Sequence, residues 1–322
     1  MMKIFVTRKI PQVGLDLLKQ AGHEVAVSEF DRPLTREELM QKVAAADAIL
    51  SQLVDKIDGE VMDMAGKQLK VIANYAVGYD NLNLKDAESR HILVTNTPDV
   101  LTDAVADHAF ALMMAAARRV VESDRFSRAG KYTGWQPFLL LGQDVHGKTM
   151  GIVGMGRIGS TLAARAAKGF GMKVLYTDQK DNAQLDSEIG SKRVELNELL
   201  KTADFISVHV PLLPETRHMF SSKQFEMMKK TAVFVNTSRG PVVDEQALLD
   251  ALKKGDIFGA GIDVWEFEPK LTPGLAELEN IVITPHTASA TIEARDNMSR
   301  VAAENIIAVL KGEQPPNLVK IT

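Results

Sequence analysis

The sequence predicts an α/β fold made of doubly wound parallel sheets, and two observations lead to that prediction. Short apolar runs alternate with segments of helical periodicity along the chain, as repeated β-α-β units require. The 322 residues, 45% of them hydrophobic and 25% charged, are enough for two domains that each bury a core.

The composition argues against several classes of function. A net charge of −4 is not that of a general nucleic-acid-binding protein. Because cysteine is absent, disulfides, cysteine-ligated zinc and thiol catalysis are excluded, and no histidine pair has the helical spacing of a zinc site, so we expect no metal. No apolar run reaches the ~18 residues of a membrane span or resembles a signal peptide, so we expect a cytoplasmic protein with no membrane partner.

Five apolar runs in the N-terminal part of the chain are predicted to form strands, with helices between them. They are residues 4–7, 24–27, 48–51, 70–73 and 92–95. Thr35 and Glu38 have the spacing of a capping box, which opens the helix that carries Leu39 and Val43.

A glycine-containing segment, Asn74–Asn81, follows the fourth of these strands. Ligands of doubly wound sheets bind beyond the carboxyl ends of the strands, so this loop is a candidate wall of a binding site. Backbone N–H groups of Val77 and Gly78 could hold a substrate carboxylate there. A plain strand-to-helix turn is the alternative.

Residues 101–130 are predicted to form one or two helices, long enough to connect two domains. The apolar segment Trp135–Gly142 follows them. Three interpretations of this segment are open: a patch against a second subunit, part of a substrate pocket, or packing within the chain.

The segment Thr149–Gly159 has the pattern of a dinucleotide-binding fingerprint, with an apolar strand, a glycine turn and a helix. Gly154 permits the tight turn, Gly156 lets the backbone approach a pyrophosphate, and Gly159 lets the helix pack closely on the strand. The free N–H groups at the start of the helix would then face the phosphates.

The next predicted strand, residues 173–178, ends in an acidic residue. Asp178 lies about 20 residues beyond the last glycine, where a carboxylate can accept hydrogen bonds from the adenosine ribose and repel a 2′-phosphate. An ordinary polar residue at a strand end is the alternative. The sequence therefore favours NAD(H) as the cofactor.

Four later runs are predicted to be strands, namely residues 205–210, 232–237, 261–264 and 281–284, with a helix at 244–254 among those between them. Arg239, Glu268 and His286 follow the carboxyl ends of three of these strands. A guanidinium can hold a carboxylate and polarise a carbonyl, and an imidazole oriented by a carboxylate can exchange a proton near neutral pH. Taken singly, each has a plainer interpretation as a solvated cation, a surface acid or a histidine bound to backbone.

In this order, the motifs resemble the signatures of D-2-hydroxyacid dehydrogenases. The matching segments are Gly154–Gly159, Asn236–Gly240, Gly261–Val264 with Glu268 and Pro269, Thr284–His286, Ala76–Asn81 and Pro315–Asn317. The resemblance covers nearly the whole chain and is strongest to glyoxylate/hydroxypyruvate reductases and the related 2-ketogluconate reductases.

The resemblance implies two doubly wound parallel-sheet domains. One is a Rossmann nucleotide-binding domain over residues 99–289, and the other is a flavodoxin-like substrate domain over residues 1–98, to which residues 290–322 return. It also implies a homodimer that reduces a short 2-oxo acid, such as glyoxylate, hydroxypyruvate or 2-ketogluconate, to the D-2-hydroxy acid.

The resemblance further implies roles for individual residues. Arg239 would bind the substrate, His286 would be the acid/base with Glu268 as its partner, and Val77 and Gly78 would contact the substrate carboxylate. The implied cofactor contacts are Thr102, Gly154, Gly156, Arg157, Ile158, Gly159, Asp178, Val210, Pro211, Thr216, Thr237 and Asp263.

Two departures from the family pattern bear on these expectations. Many glyoxylate/hydroxypyruvate reductases have arginine where this chain has Asp178-Gln179-Lys180, so NADP(H) is possible but not favoured. Asp107 stands where glutamate is frequent. An alternative of another class is an NAD(H)-sensing binding protein similar to a transcriptional corepressor.

Overall fold

The computed structural model describes residues 1–320, which contain twelve strands and twelve α-helices. The strands are β1 (Lys3–Val6), β2 (Glu24–Val27), β3 (Ala48–Ser51), β4 (Val71–Asn74), β5 (Leu93–Thr95), β6 (Thr149–Val153), β7 (Lys173–Thr177), β8 (Lys192–Arg193), β9 (Phe205–Val208), β10 (Val233–Asn236), β11 (Gly259–Ile262) and β12 (Ile281–Ile283). The helices are α1 (Gln12–Gln20), α2 (Arg36–Lys42), α3 (Gly59–Ala65), α4 (Leu84–Ser89), α5 (Thr102–Ala117), α6 (Val120–Arg128), α7 (Arg157–Phe170), α8 (Ala183–Ile189), α9 (Leu196–Thr202), α10 (Ser222–Glu226), α11 (Glu245–Lys254) and α12 (Ile292–Leu310).

The chain separates into two compact units. Met1–Leu101 and the segment from Ala290 onward form the first unit, and Thr102–Ser289 form the second. The last two residues of the predicted returning segment, 321 and 322, lie outside the described residues.

The first unit contains a five-stranded sheet in the order β2-β1-β3-β4-β5, with every pair parallel. The central strands β3 and β4 are buried throughout, as expected for a sheet covered on both faces. The predicted capping box is confirmed, because the Thr35 hydroxyl accepts the Glu38 N–H and the Glu38 carboxylate accepts the Thr35 N–H.

The second unit contains a seven-stranded parallel sheet in the order β12-β11-β10-β9-β6-β7-β8. These two parallel sheets confirm the predicted fold class. The chain adds strands on one side of β6 and then returns to its other side, so the sheet has its topological switch point at the carboxyl ends of β6 and β9. Ligands of such sheets bind in the crevice at that point.

The strand β11 differs from its predicted position. It begins at Gly259 rather than residue 261 and ends at Ile262, which leaves Asp263 beyond its end. Gly259 and Gly261 weaken the apolar signal of this strand. Packing requires the second of them, because a Cβ on Gly261 would lie 2.8 Å from the Leu112 Cβ of α5. The close approach of α5 to this strand therefore requires a residue without a side chain.

Two helices, α5 and α6, occupy the region predicted as one or two, and Arg119 separates them with a φ of 52°. In the following segment, Trp135 and Phe138 are 82% and 84% exposed. Packing within the chain, one of the three interpretations of this segment, is therefore wrong for these two rings.

Candidate functional site

Three neighbouring strands of the second unit place the three predicted catalytic side chains along one edge. Arg239 follows β10, Glu268 lies in the loop after β11, and His286 follows β12. Since β10, β11 and β12 are adjacent and parallel, their carboxyl ends lie side by side.

The structure brings His286 and Glu268 into direct contact. The imidazole Nδ1 lies 3.0 Å from the Glu268 Oε2, and the Trp265 N–H donates to the Glu268 Oε1 over 3.2 Å. Both side chains are half-buried. With Nδ1 facing the carboxylate, Nε2 on the opposite side of the ring is the nitrogen placed to exchange a proton with a ligand.

The backbone of His286 is in the left-handed region, with a φ of 53°. Histidine tolerates this conformation better than most residues, but a local free-energy cost of about 1 kcal/mol or more remains. The His286 N–H donates to the Asp263 carbonyl oxygen over 2.8 Å and to the Thr284 carbonyl oxygen over 3.0 Å. These two bonds hold the turn that presents the imidazole.

The buried carboxylate of Asp263 organises the same turn. It accepts the N–H groups of Thr287 and Ala288, each over 2.8 Å, and the Thr284 hydroxyl over 2.6 Å. The side chain is fully buried, and burial alone would raise its pKa. The hydrogen bonds from His108, Thr284 and the two backbone N–H groups outweigh that effect and lower the pKa of Asp263, which is therefore charged.

Sequence reasoning missed His108 as part of this cluster. Its Nε2 lies 2.9 Å from the Thr284 hydroxyl and 3.4 Å from the Asp263 Oδ1. His108 is on α5, far from both partners in the chain, and most of its neighbours in the sequence are apolar. Nothing in that pattern shows that this histidine has partners in the residues that follow β11 and β12.

Arg239 lies on a turn that the buried Asn236 holds. The Asn236 Oδ1 accepts the N–H and the hydroxyl of Ser238, and its Nδ2 donates to the Arg239 carbonyl oxygen over 3.0 Å. The Arg239 Nη1 donates to the Ser238 carbonyl oxygen over 2.8 Å. A Cβ on Gly240 would lie 1.8 Å from the Trp265 carbonyl oxygen, so the loops that carry Arg239 and Glu268 are in backbone contact.

The glycine turn lies at the switch point of the sheet. Gly154 has a φ of 97°, and a Cβ there would lie 2.9 Å from the backbone of His209 at the end of β9. A Cβ on Gly159 would lie 2.1 Å from the Gly154 carbonyl oxygen, so the helix begins close against the strand. A Cβ on Gly156 would meet no atom within 4 Å, which leaves open space at the start of α7. An anionic pyrophosphate fits that space and the N–H groups beside it.

The acidic residue at the end of β7 contacts the same turn. The Asp178 Oδ2 accepts the Met155 N–H over 2.7 Å, and the Asp178 carbonyl oxygen accepts from Arg193 over 2.8 Å. The carboxylate is thus held beside the glycine turn, where the adenosine ribose of a bound dinucleotide would lie.

The remaining predicted cofactor residues occupy loops and helix starts of the second unit. Thr102 begins α5, and Arg157 and Ile158 begin α7. Thr216 holds the loop after β9 by donating its hydroxyl to the Pro211 carbonyl oxygen, and Val210 precedes that proline. The Thr237 hydroxyl is buried and has no hydrogen-bond partner within residues 1–320.

Val77 and Gly78, the predicted substrate contacts, lie in the first unit after β4. The amide of Asn96 donates to the Val77 carbonyl oxygen over 2.7 Å, and that of Asn74 donates to the Gly78 carbonyl oxygen over 2.8 Å. Both carbonyl groups are therefore fixed, which sets the orientation of the peptide groups between them.

The described part of the chain contains no group of three or more histidine, aspartate or glutamate side chains arranged to hold a metal ion. Within the same residues, none of the helices has the length and apolar character needed to cross a membrane.

His209 is a second titratable group near the carboxyl ends of the strands, and unlike Asp263 it is uncharged. It lies at the end of β9, its Nε2 is 2.9 Å from the Ser207 hydroxyl, and its N–H donates to the Val153 carbonyl oxygen over 2.7 Å. Burial lowers the pKa of this imidazole to about 4. His209 is therefore neutral at physiological pH, beside the glycine turn.

Comparison with known proteins gives consistent matches. Residues 110–288 match the D-isomer specific 2-hydroxyacid dehydrogenase, NAD binding domain. A glyoxylate reductase from Korarchaeum cryptofilum is 51% identical over 98% of this chain and 95% of its own.

Two solved structures show the same fold over nearly the full length. The TT0316 protein from Thermus thermophilus superimposes with a TM-score of 0.92 at 46% identity, covering 99% of this chain and 100% of its own. An NADPH-dependent glyoxylate/hydroxypyruvate reductase from Sinorhizobium meliloti, in complex with NADP and malonate, gives 0.85 at 30% identity, covering 99% and 96%.

Acidification tests the neutral state of His209. The folded-state pKa of about 4 lies below the unfolded value of about 6.5, so the contribution to stability is complete above pH ~6.5 and is lost as the pH falls towards 4. Over that range we expect His209 to cost up to about 3 kcal/mol of the free energy of unfolding. The free energy of unfolding, measured by urea unfolding at several pH values, should change less with pH in His209→Gln than in the wild type. The same pH dependence in both proteins would contradict this assignment.

Proposed function

Because the chain belongs to the D-isomer specific 2-hydroxyacid dehydrogenase family, we propose that it reduces a short 2-oxo acid to the D-2-hydroxy acid with a nicotinamide cofactor. Glyoxylate is the first candidate substrate, since it is the one in the names of the similar reductases, followed by hydroxypyruvate and 2-ketogluconate. The observation that supports this best is the His286–Glu268 pair, held at the strand edge that also carries Arg239.

In this reaction His286 provides the proton. When bound, the reduced nicotinamide supplies a hydride to C2 of the 2-oxo acid. Protonated His286 donates its Nε2 proton to the carbonyl oxygen, while the Glu268 carboxylate at Nδ1 stabilises the imidazolium beforehand. The proton and the hydride together convert the ketone or aldehyde group into the alcohol.

Arg239 and the loop of Val77 and Gly78 have the complementary role of holding the substrate. A guanidinium binds a carboxylate through paired hydrogen bonds and stabilises negative charge that develops on a neighbouring carbonyl oxygen. The ordered peptide groups at Val77 and Gly78 offer N–H groups to the carboxylate. The first unit is accordingly the proposed substrate domain, and the second is the proposed nucleotide-binding domain.

We propose NAD(H) as the preferred cofactor. The glycine turn and the open start of α7 fit a pyrophosphate, which NAD and NADP share, so these features do not discriminate. The discriminating group is Asp178, whose carboxylate is fixed by the Met155 N–H and would repel a 2′-phosphate. The other proposed cofactor contacts, at Thr102, Arg157, Ile158, Val210, Pro211, Thr216, Thr237 and Asp263, serve both cofactors.

We propose that the protein acts as a homodimer in the cytoplasm, where nicotinamide cofactors are available. Trp135 and Phe138 are almost completely exposed, and Tyr132 and Leu141 beside them are each 57% exposed. Exposed aromatic and apolar side chains so close together in the sequence are typical of a protein–protein interface. A second copy of the chain is its proposed partner.

Substitution of His286, the proposed proton donor, and of Arg239, the proposed substrate-binding group, tests the reaction. We expect His286→Gln and Arg239→Ala each to lower kcat for glyoxylate reduction by about 10²- to 10⁴-fold, because they remove the proton donor and the oxyanion contact. NADH binding, followed by fluorescence titration, should remain within a few-fold of wild type. His146→Gln, at an exposed histidine of the same unit, is the matched control. Near-normal turnover in either variant would refute the assignment, and NADH binding without turnover of any 2-oxo acid by the wild type would favour the sensor alternative.

Cofactor choice is tested by Asp178→Asn, which removes the charge and keeps the size. We expect kcat/KM for NADPH relative to NADH to rise by about tenfold or more, because a repulsion of about 1.4 kcal/mol is removed. Asp181→Asn, which removes an exposed carboxylate three residues further on, should leave the ratio nearly unchanged. Equal ratios in the wild type and Asp178→Asn would show that this carboxylate does not select the cofactor.

Light scattering after size-exclusion chromatography tests the dimer. We expect the wild type to have twice the 35.3 kDa mass of one chain, and the double substitution of Trp135 and Phe138 by serine to shift it to the single-chain mass. Val54→Ser, at another exposed apolar residue, should leave the mass unchanged. A single-chain mass for the wild type, or a dimer that survives the double substitution, would contradict the proposed interface.

A further inference from the structure

The loop that carries Glu268 is anchored by a buried acid that the mechanism above does not use. Glu245, the first residue of α11, is 2% exposed. Its Oε2 accepts the Glu266 N–H and its Oε1 accepts the Thr272 N–H, each over 2.7 Å. The two donors lie on either side of Glu268 in the chain, so one carboxylate fixes both ends of the segment around it.

The loop also binds back to the start of α11. The Glu266 Oε2 accepts the Glu245 N–H over 3.3 Å, and the Glu266 Oε1 lies 2.6 Å from the Nε2 of His218. Glu245 and Glu266 thus exchange hydrogen bonds in both directions. Both acids lie at the N-terminus of a ten-residue helix, where the helix dipole favours negative charge.

Glu245 is not needed to cap the helix that it begins. Asp244 performs that function, since its Oδ1 accepts the Ala247 N–H over 3.0 Å. The Glu245 carboxylate instead extends to the loop. Burying a carboxylate is costly unless it is hydrogen-bonded, and the two backbone N–H groups give each of its oxygens a partner.

The position of the loop matters because the His286–Glu268 contact tolerates little movement. Segment 264–272 has no regular secondary structure, and within it the Phe267 ring is 60% exposed and contributes little packing. Displacement of a catalytic group by about 1 Å is enough to lower a rate by about 10²-fold. Within the segment, the Trp265 N–H holds the Glu268 carboxylate. The Glu245 carboxylate adds two bonds from outside the segment, one on each side of Glu268.

We propose that Glu245 is a positioning residue that holds Glu268 against Nδ1 of His286 and so orients the imidazole for proton transfer. This inference rests on the proposed function of the His286–Glu268 pair. The titratable groups around the loop are Glu266 and His218 near the start of α11, Asp263 after β11, His286 after β12, and Arg239 after β10. The test must separate Glu245 from all of these.

The pH profile of glyoxylate reduction by Glu245→Gln makes that separation. The amide keeps one acceptor oxygen and presents its NH₂ group to a backbone N–H, so one anchor of the loop is lost. We expect kcat to fall about tenfold or more and the basic limb of the profile to move to lower pH, because Glu268 stabilises the protonated imidazole less well. NADH affinity should stay unchanged. Glu245→Asp, which is too short to hold both N–H groups, should give a smaller shift in the same direction and serves as the second variant if Glu245→Gln does not fold.

A double-mutant cycle with Glu268→Gln shows whether the effect of Glu245→Gln on kcat and on the pH profile arises through Glu268. If Glu245 acts through Glu268, adding Glu245→Gln to Glu268→Gln should change kcat and the pH limb little further. Asp244→Ala is the control, because it removes the cap of the same helix and lowers stability without removing any bond to the loop. Its pH limb should match that of the wild type.

Two sets of outcomes would overturn the inference. A wild-type kcat and pH profile in Glu245→Gln would do so, and so would a lower kcat with an unmoved limb and full additivity with Glu268→Gln, which marks a purely structural role. Failure of the proposed function is distinguishable, since it would appear as near-normal turnover in His286→Gln whatever Glu245→Gln does.

Discussion

The hydrogen bond between Nδ1 of His286 and Oε2 of Glu268 depends on two buried carboxylates that are not part of the pair. Asp263 holds the turn of His286 by accepting backbone N–H groups that follow the histidine. Glu245 holds the loop of Glu268 by accepting N–H groups on both sides of it. Each carboxylate converts an irregular segment into a fixed one, because leaving either charge buried without its donors would cost several kcal/mol.

Two titratable groups near the glycine turn and the carboxyl ends of the strands, Asp263 and His209, differ in charge although burial acts on both of them. Asp263 is charged because several hydrogen bonds to its carboxylate outweigh burial, and the pKa is lowered. His209 has the Ser207 hydroxyl beside its ring and no comparable set of acceptors among the described residues, so burial dominates and keeps the imidazole neutral. The number of hydrogen bonds to the charged form, more than burial itself, decides which of these groups carries charge.

The sequence predicts those features that follow a periodic or short-range pattern. The strands with continuous apolar runs, the glycine turn and the capping box at Thr35 are of this kind, and the structure has them. The predicted β11 was misplaced because Gly259 and Gly261 weaken the apolar signal, and the close approach of α5 that requires glycine at position 261 is visible only in the fold. His108 and Glu245 were missed since their partners are brought together by tertiary packing and neither lies in a recognisable motif. That Arg239, Glu268 and His286 lie at one edge of the sheet could be predicted, because parallel strands place their carboxyl ends together. Their roles were implied by the family resemblance and stay predictions.

In the proposed reaction the imidazole of His286, held by Glu268, delivers a proton as hydride reaches the substrate. The most direct measurement is the solvent isotope effect on a single turnover of enzyme-bound NADH with glyoxylate, followed by the loss of NADH absorbance. We expect wild-type hydride transfer to be slower in D₂O than in H₂O, and this difference to disappear in His286→Gln. Equal single-turnover rates of the wild type in the two solvents would contradict it.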